Sequence, residues 1–175
     1  MCIIYLPLFF DSGLRGLEVP NYGTWSGRVT INGEALNRAG VYDQEGINYT
    51  EQMLLEIANR GKWAVSTYEE CNHAPIVSAE ELDIYASAGE TVKLVGTVTE
   101  PDGDDYTSNW WVYKDACEYD GDKSVLDISS ASTLETEFTI PADAQSGDYF
   151  NIIMTVDDTV EQPMERYAQV IVHVQ

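Results

Sequence analysis

The sequence predicts a mainly β protein: a seven-stranded sandwich over residues 76–175, behind a small N-terminal segment with one short helix. Three observations predict it. From Pro75 onward the chain runs in short stretches of alternating apolar and polar residues, the period of a strand with one buried face. Turn formers cut these stretches at Ala88-Gly89, Pro101-Asp102-Gly103-Asp104, Asp120-Gly121-Asp122, Pro141 and Ser146-Gly147. Seven such runs in roughly 100 residues is the spacing of an immunoglobulin-like sandwich.

The first ten residues, Met1 to Phe10, are apolar, but they lack a basic leading region and a small-residue cleavage pattern, and Pro7 interrupts them. They read as a buried strand, as in a chain that begins inside a domain, and are too short to span a bilayer. Turn formers and aromatics fill residues 11–46, with Arg28-Val29-Thr30-Ile31 leading as a strand into an Asn32-Gly33 turn. Asn48 or Thr50 caps a helix running to about Arg60, with Met53, Leu54, Ile57 and Ala58 on one face and Gly61 as its C-cap. The predicted strands follow: Leu82–Tyr85, Thr91–Val98, Tyr106–Tyr113, Ser124–Ile128, Glu135–Ile140, Tyr149–Val156 and Arg166–Val174. Three cysteines, Cys2, Cys71 and Cys117, show no paired spacing, and a Cys71–Cys117 disulfide has no support from the pattern.

Alternation assigns the faces. Tyr106, Trp110 and Val112 point inward if Trp110 is the buried tryptophan of the sandwich, and Asn109, Trp111 and Tyr113 then point outward. The last two strands carry clean apolar faces, Phe150-Ile152-Met154-Val156 and Ala168-Val170-Val172-Val174. Their other faces bring Tyr149, Asn151, Tyr167 and Gln169 beside Trp111 and Tyr113. Aromatic rings with amides between them suit stacking on sugar rings and hydrogen bonding to hydroxyls. Residues before Pro75 packing on that face is the competing reading. Tyr22 and Trp25, on a glycine-rich turn, are a second aromatic pair.

Thirty acidic residues face nine basic ones, for a net charge of −21. Such a chain repels nucleic-acid phosphates and anionic membrane surfaces, which excludes both as partners. The charge is uneven: residues 1–75 hold nine acids and five bases, residues 76–175 twenty-one acids and four bases, which marks a boundary near Pro75. Asp102, Asp104 and Asp105 share one turn with Glu100, and Asp120 and Asp122 lie in the next loop near Asp115 and Glu118. Carboxylates in Asp-Gly-Asp turns suit calcium, although no EF-hand spacing is present. A carboxylate pair from these loops or from Asp157-Asp158 is the weaker case for glycoside hydrolysis. No GxSxG, HExxH, Walker A or GxGxxG motif occurs.

Asn72-His73-Ala74-Pro75, Trp110-Trp111-Val112-Tyr113, Phe138-Thr139-Ile140-Pro141-Ala142-Asp143-Ala144, Met154-Thr155-Val156-Asp157-Asp158 and the run from Arg166 to Val172 occur in an order that resembles a bacterial family. It is the C-terminal immunoglobulin-like domain of secreted cellulose-binding proteins whose N-terminal domain is nucleoside-hydrolase-like. The resemblance covers residues 72–175. More weakly, residues 1–71 resemble the tail of the hydrolase-like domain, through Tyr22-Gly23-Thr24-Trp25-Ser26-Gly27-Arg28. The resemblance implies a secreted protein, a polysaccharide partner such as cellulose or another glucan, and an upstream hydrolase-like domain. The Asp-rich, calcium-holding motif of nucleoside hydrolases has no counterpart here, so no catalytic residue carries over. The leading expectation is a non-catalytic carbohydrate-binding accessory module. A structural domain that completes a hydrolase-like partner and a small glycoside hydrolase are the alternatives.

Overall fold

The computed structural model describes residues 12–16, 18–19, 22, 49–128 and 131–175. The apolar opening segment, the Arg28–Gly33 strand and turn, Cys2 and Trp25 lie outside the described residues. Helix α1 (Tyr49–Trp63) precedes seven strands: β1 (Ile76–Ala79), β2 (Asp83–Ala86), β3 (Thr91–Thr99), β4 (Tyr106–Val112), β5 (Glu135–Thr139), β6 (Tyr149–Asp158) and β7 (Glu165–Val174). They form two packed sheets, β1-β3-β5 and β2-β7-β6-β4. All pairs are antiparallel except β2 with β7. This is an immunoglobulin-like sandwich. No described helix is long and apolar enough to cross a membrane.

The core follows the period-two pattern. Trp110 and Val112 from β4, the even residues Phe150 to Val156 of β6 and Ala168 to Val174 of β7 meet Val92, Leu94 and Phe138 of the facing sheet. Gly96 leaves room for this layer: a β-carbon there would sit 2.3 Å from the Met154 sulfur. Tyr106, expected inward, stands at the strand end, 37% exposed.

One strand is exchanged for another. Ser124–Ile128 is not a strand: residues 123–125 make a 3-10 turn, whose start is fixed by the Asp122 carboxylate accepting from the Ser124 N–H. Leu126 and Ile128 are buried from an irregular segment, which imitates strand alternation. The seventh strand is β1, four residues behind Pro75, paired with β3 from Ile76↔Thr99 to Ala79↔Gly96. Helix α1 continues through Gly61 to Trp63, so Gly61 is not its C-cap. Cys71 and Cys117 are both buried and are not joined by a disulfide.

Ser12, Leu14, Arg15 and Tyr22, together with α1, lie over the outer face of the β4-bearing sheet. Leu14 and Ile57 pack on Tyr113, Ile153 and Tyr167, and the Tyr167 N–H donates to the Ser12 carbonyl at 2.8 Å. Gly13 has φ 92°, and a β-carbon there would fall 1.9 Å from the Tyr167 carbonyl oxygen, so only glycine allows this approach.

Candidate functional site

That cover overturns most of the expected outer aromatic face. Tyr113, Tyr167, Asn151 and Gln169 are all at most 1% exposed. The two amides hold protein backbone: Asn151 Nδ2 and Gln169 Nε2 donate to the Tyr22 carbonyl at 3.0 and 2.7 Å, Gln169 Nε2 also donates to Asn151 Oδ1, and Gln169 Oε1 accepts from the Arg15 N–H. The Tyr167 hydroxyl donates to Glu165. Trp111 is half-buried against the cluster that Leu14 forms with Tyr113, Ile153 and Tyr167, its indole N–H donating to Thr155 Oγ1 at 2.9 Å. These side chains are spent on docking the preceding segment, because so much apolar area in one face is stabilised by covering it. Tyr22 is itself part of the cover, 7% exposed, and burial raises its phenol above the usual range.

What stays accessible lies at one end of the same sheet. The registers Tyr85↔His173 and His173↔Tyr149 put three rings in a row across β2, β7 and β6. Tyr85 and His173 stack at 4.7 Å between centroids with planes 14° apart, and Tyr149 follows at 6.5 Å and 52°. Tyr22 closes the row edge-on to Tyr149 at 5.4 Å. Because β2 is the edge strand, the outer face of Tyr85 is open to solvent, and the residue is 61% exposed.

A polar brace fixes the row. Asp83 contacts His173 Nε2 at 3.0 Å through Oδ1 and accepts from Arg15 at 2.7 Å through Oδ2; Arg15 also donates to the Leu82 carbonyl. Partial burial pushes the Asp83 carboxyl up, but hydrogen bonds from Arg15 and His173 outweigh it and hold the group below its usual range. A cleft of about 370 Å³ opens beside Tyr85 between the sheets, edged by Glu80, Glu81, Glu90 and Lys93. Of the residues expected from sequence, only Tyr149 and Tyr22 join this row. Tyr85 and His173 were missed as site residues, because only the non-local parallel pairing of β2 with β7 brings them together.

The acidic loops do not converge. The Asp102–Asp105 turn precedes β4 and the Asp120–Asp122 loop follows it, so the seven residues of β4 separate them by about 20 Å. Asp120 is exposed, Asp122 caps Ser124, and the Asp105 carbonyl accepts from Thr159. Glu100, Asp102 and Asp104 do come together, with carboxylate oxygens within 4.8 Å of one another. Glu100 Oε1 is buried without a hydrogen-bond partner, an orphaned hard acceptor that fits an oxygen-seeking cation.

A second acid pair spans β6 and β7, where Asp157 and Glu165 are half-buried cross-strand neighbours. Burial pushes Glu165 up to about 7 against the Tyr167 hydrogen bond, with a smaller rise from Asp157; burial and Asp158 raise Asp157. A carboxyl protonated near neutral pH has the chemistry of a general acid. This pair lines none of the three clefts beside Tyr85, beside Trp63 and beside Tyr68.

Comparison with known proteins places this geometry. Residues 91–174, from β3 to the end of β7, match the family model described as the C-terminal domain of cellulose-binding protein Sde0182. The match falls within the stretch whose motifs carry the resemblance. The chain is similar to the structure of a nucleoside hydrolase-related hypothetical protein from Saccharophagus degradans that is associated with carbohydrate metabolism. The TM-score is 0.75 at 23% identity, covering 94% of this chain and 45% of that one. The chain thus spans less than half of that neighbour, and the likeness establishes the fold. Fibronectin(III)-like modules of CbhA from Clostridium thermocellum align at TM-score 0.37 and 18% identity, over 58% of this chain and 47% of that one. No curated protein matches the chain.

Proposed function

We propose that this chain is a non-catalytic carbohydrate-binding accessory module of a larger secreted bacterial protein, and that it holds neutral glucan-type polysaccharide on the Tyr85–His173–Tyr149 row. The row is the observation that carries the reading: three rings at strand spacing, braced by Asp83 and Arg15, with an open tyrosine face at the sheet edge. The family match of residues 91–174 supports the ligand class. A pre-stacked ring offers area to a sugar at small entropy cost. The charge of −21 disfavours uronic-acid polymers, so binding should favour uncharged chains and change little with salt.

Affinity electrophoresis on hydroxyethylcellulose and on a soluble mixed-linkage glucan tests this. Tyr85→Ala is expected to weaken retardation about tenfold, the loss of one stacked ring together with its buried area. Tyr85→Trp should keep it. Equal retardation of wild type and Tyr85→Ala, both folded, would place the contact elsewhere.

A structural role is the second reading, a domain that completes or positions a hydrolase-like partner. The closure of the outer face by Ser12, Leu14, Arg15, Tyr22 and α1 favours it. Wild type showing no retardation on any glycan, together with retained Tm, would leave this reading in place.

The carboxylates of Glu100, Asp102 and Asp104 are proposed as a calcium site, with water completing the six to eight oxygens the ion takes. Millimolar Ca²⁺ should raise Tm by a few degrees, and EDTA should reverse it, by mass action on the folded state. Asp104→Asn should abolish the shift. An unchanged wild-type Tm in calcium means these groups are solvated turn charge.

A further inference from the structure

The far end of the molecule carries an aromatic assembly that the row at Tyr85 does not include. Four planar groups stack in sequence. The Arg60 guanidinium lies 5.3 Å from the Trp63 ring centroid, Trp63 stacks on His73 at 5.5 Å with planes 20° apart, and His73 stacks on Tyr68 at 3.8 Å and 21°. Every inner member is pinned. The Arg60 Nε donates to Glu56 at 2.8 Å, and the Trp63 indole N–H donates to the Asn72 carbonyl at 2.8 Å. His73 is held twice by Asp102, which accepts the His73 backbone N–H at 2.6 Å and meets Nδ1 at 2.9 Å. Asn72 is fixed in turn by Asp158, at 2.9 Å.

Trp63 and His73 each have two planar neighbours in the stack, and both are half-buried. Tyr68 is different: one face rests on His73, and the residue is 62% exposed. Its position beside Asn72, Asp102 and Asp104 borders a cleft of about 500 Å³. A rigid ring with one open face and hydrogen-bond acceptors around it is the chemistry that recognises a pyranose: the apolar face of the sugar stacks, and its hydroxyls donate to the carboxylates and the amide oxygen. The folding logic points the same way. An exposed tyrosine held on a three-group pillar costs side-chain entropy that an ordinary surface tyrosine does not.

We propose that Tyr68, on the Arg60–Trp63–His73 pillar, is a second saccharide-stacking site, specific for uncharged or amino sugars, which works with the Tyr85 row to grip one polysaccharide at two points. This rests on the carbohydrate-binding reading of the chain. The pillar docks at the start of β7, where Glu56 joins Arg60 to Arg166, while His173 lies near its end. Seven residues of strand separate the two ends by roughly 24 Å. A chain long enough to reach both binds with avidity, and a short oligosaccharide engages one at a time. Without added calcium, the acidic lining of Glu69, Glu70, Asp102 and Asp104 repels uronates.

The test compares wild type, Tyr68→Ala, Tyr85→Ala and the double variant by affinity electrophoresis on hydroxyethylcellulose, with Tm measured for each. Tyr68 is exposed, so its alanine variant should fold; Tyr68→Trp serves as the conservative control and should retain binding. The expected result is partial loss in each single variant, about threefold to tenfold, and no retardation in the double variant. Polygalacturonate, run in EDTA, should retard none of them. If Tyr85→Ala weakens binding while Tyr68→Ala matches wild type, the second site is wrong and the first stands. If Tyr68→Ala alone abolishes retardation, there is one site, at Tyr68, and the two-point grip is wrong. If wild type binds no glycan, the carbohydrate reading falls and this site with it.

Discussion

Replacing Trp110 with alanine is expected to destabilise the fold by about 3–5 kcal/mol, the range for truncating a buried aromatic. Trp110 is 1% exposed in the middle of β4, opposite Met154 on β6, and its ring reaches the space that Gly96 leaves open in β3. It therefore touches both sheets, and the cavity left behind cannot close without moving one of them. Its indole N–H is buried without a partner, which tryptophan tolerates here only because the ring area more than compensates. Trp110→Phe drops that donor and keeps most of the apolar surface, so it should cost about 1–2 kcal/mol. Urea unfolding with an unchanged m-value reads both. A cost below 1 kcal/mol for the alanine variant would mean that the two sheets are not joined through this ring.

The core was legible because its signal is local. Trp110, Val112, Phe150 to Val156 and Ala168 to Val174 alternate cleanly, and period two reports a buried face without any knowledge of the partner strand. The exchange of Ser124–Ile128 for β1 shows the limit of the same signal. Leu126 and Ile128 are buried because they fill a gap under a loop, and no backbone ladder is needed for that. Ile76–Ala79 has only half-buried inward residues, so its pattern is faint, and pairing with β3 decides it.

The site was less legible, for a physical reason. Asn151 and Gln169 have the composition of sugar-binding amides, yet an amide between aromatics is equally suited to backbone carbonyls, and residues 15 and 22 reached them first. Sequence cannot rank a ligand against a covering segment of the same chain. The row that remains accessible depends on the parallel β2–β7 register, a contact between residues 88 positions apart at Tyr85 and His173. The pillar at Tyr68 depends on α1 docking, whose anchor, Glu56 with Arg166, joins positions 110 residues apart.

That anchor gives the second large effect. Glu56 is 2% exposed and Arg166 7%, and they form a two-pronged pair, Nη1 to Oε2 at 3.0 Å and Nη2 to Oε1 at 2.9 Å. Arg60 adds a third hydrogen bond to Oε1 at 2.8 Å. Glu56→Ala removes the carboxylate and leaves the Arg166 guanidinium buried with only the Glu165 carbonyl to satisfy it, which is expected to cost about 3–5 kcal/mol. Glu56→Gln keeps the shape and one acceptor but no charge, so an intermediate loss is expected. The double replacement Glu56→Leu with Arg166→Met removes both charges and should recover most of the stability, since the desolvation of the pair disappears with it. Because the pair ties α1 to β7, Glu56→Ala should also loosen the cover over Tyr113, Ile153 and Tyr167. Limited proteolysis should then cut between α1 and β1 well before the sandwich unfolds. Glu56→Ala within 1 kcal/mol of wild type, with unchanged protease resistance, would mean that α1 is held by the apolar contacts of Leu14 and Ile57 and that the ion pair is incidental to docking.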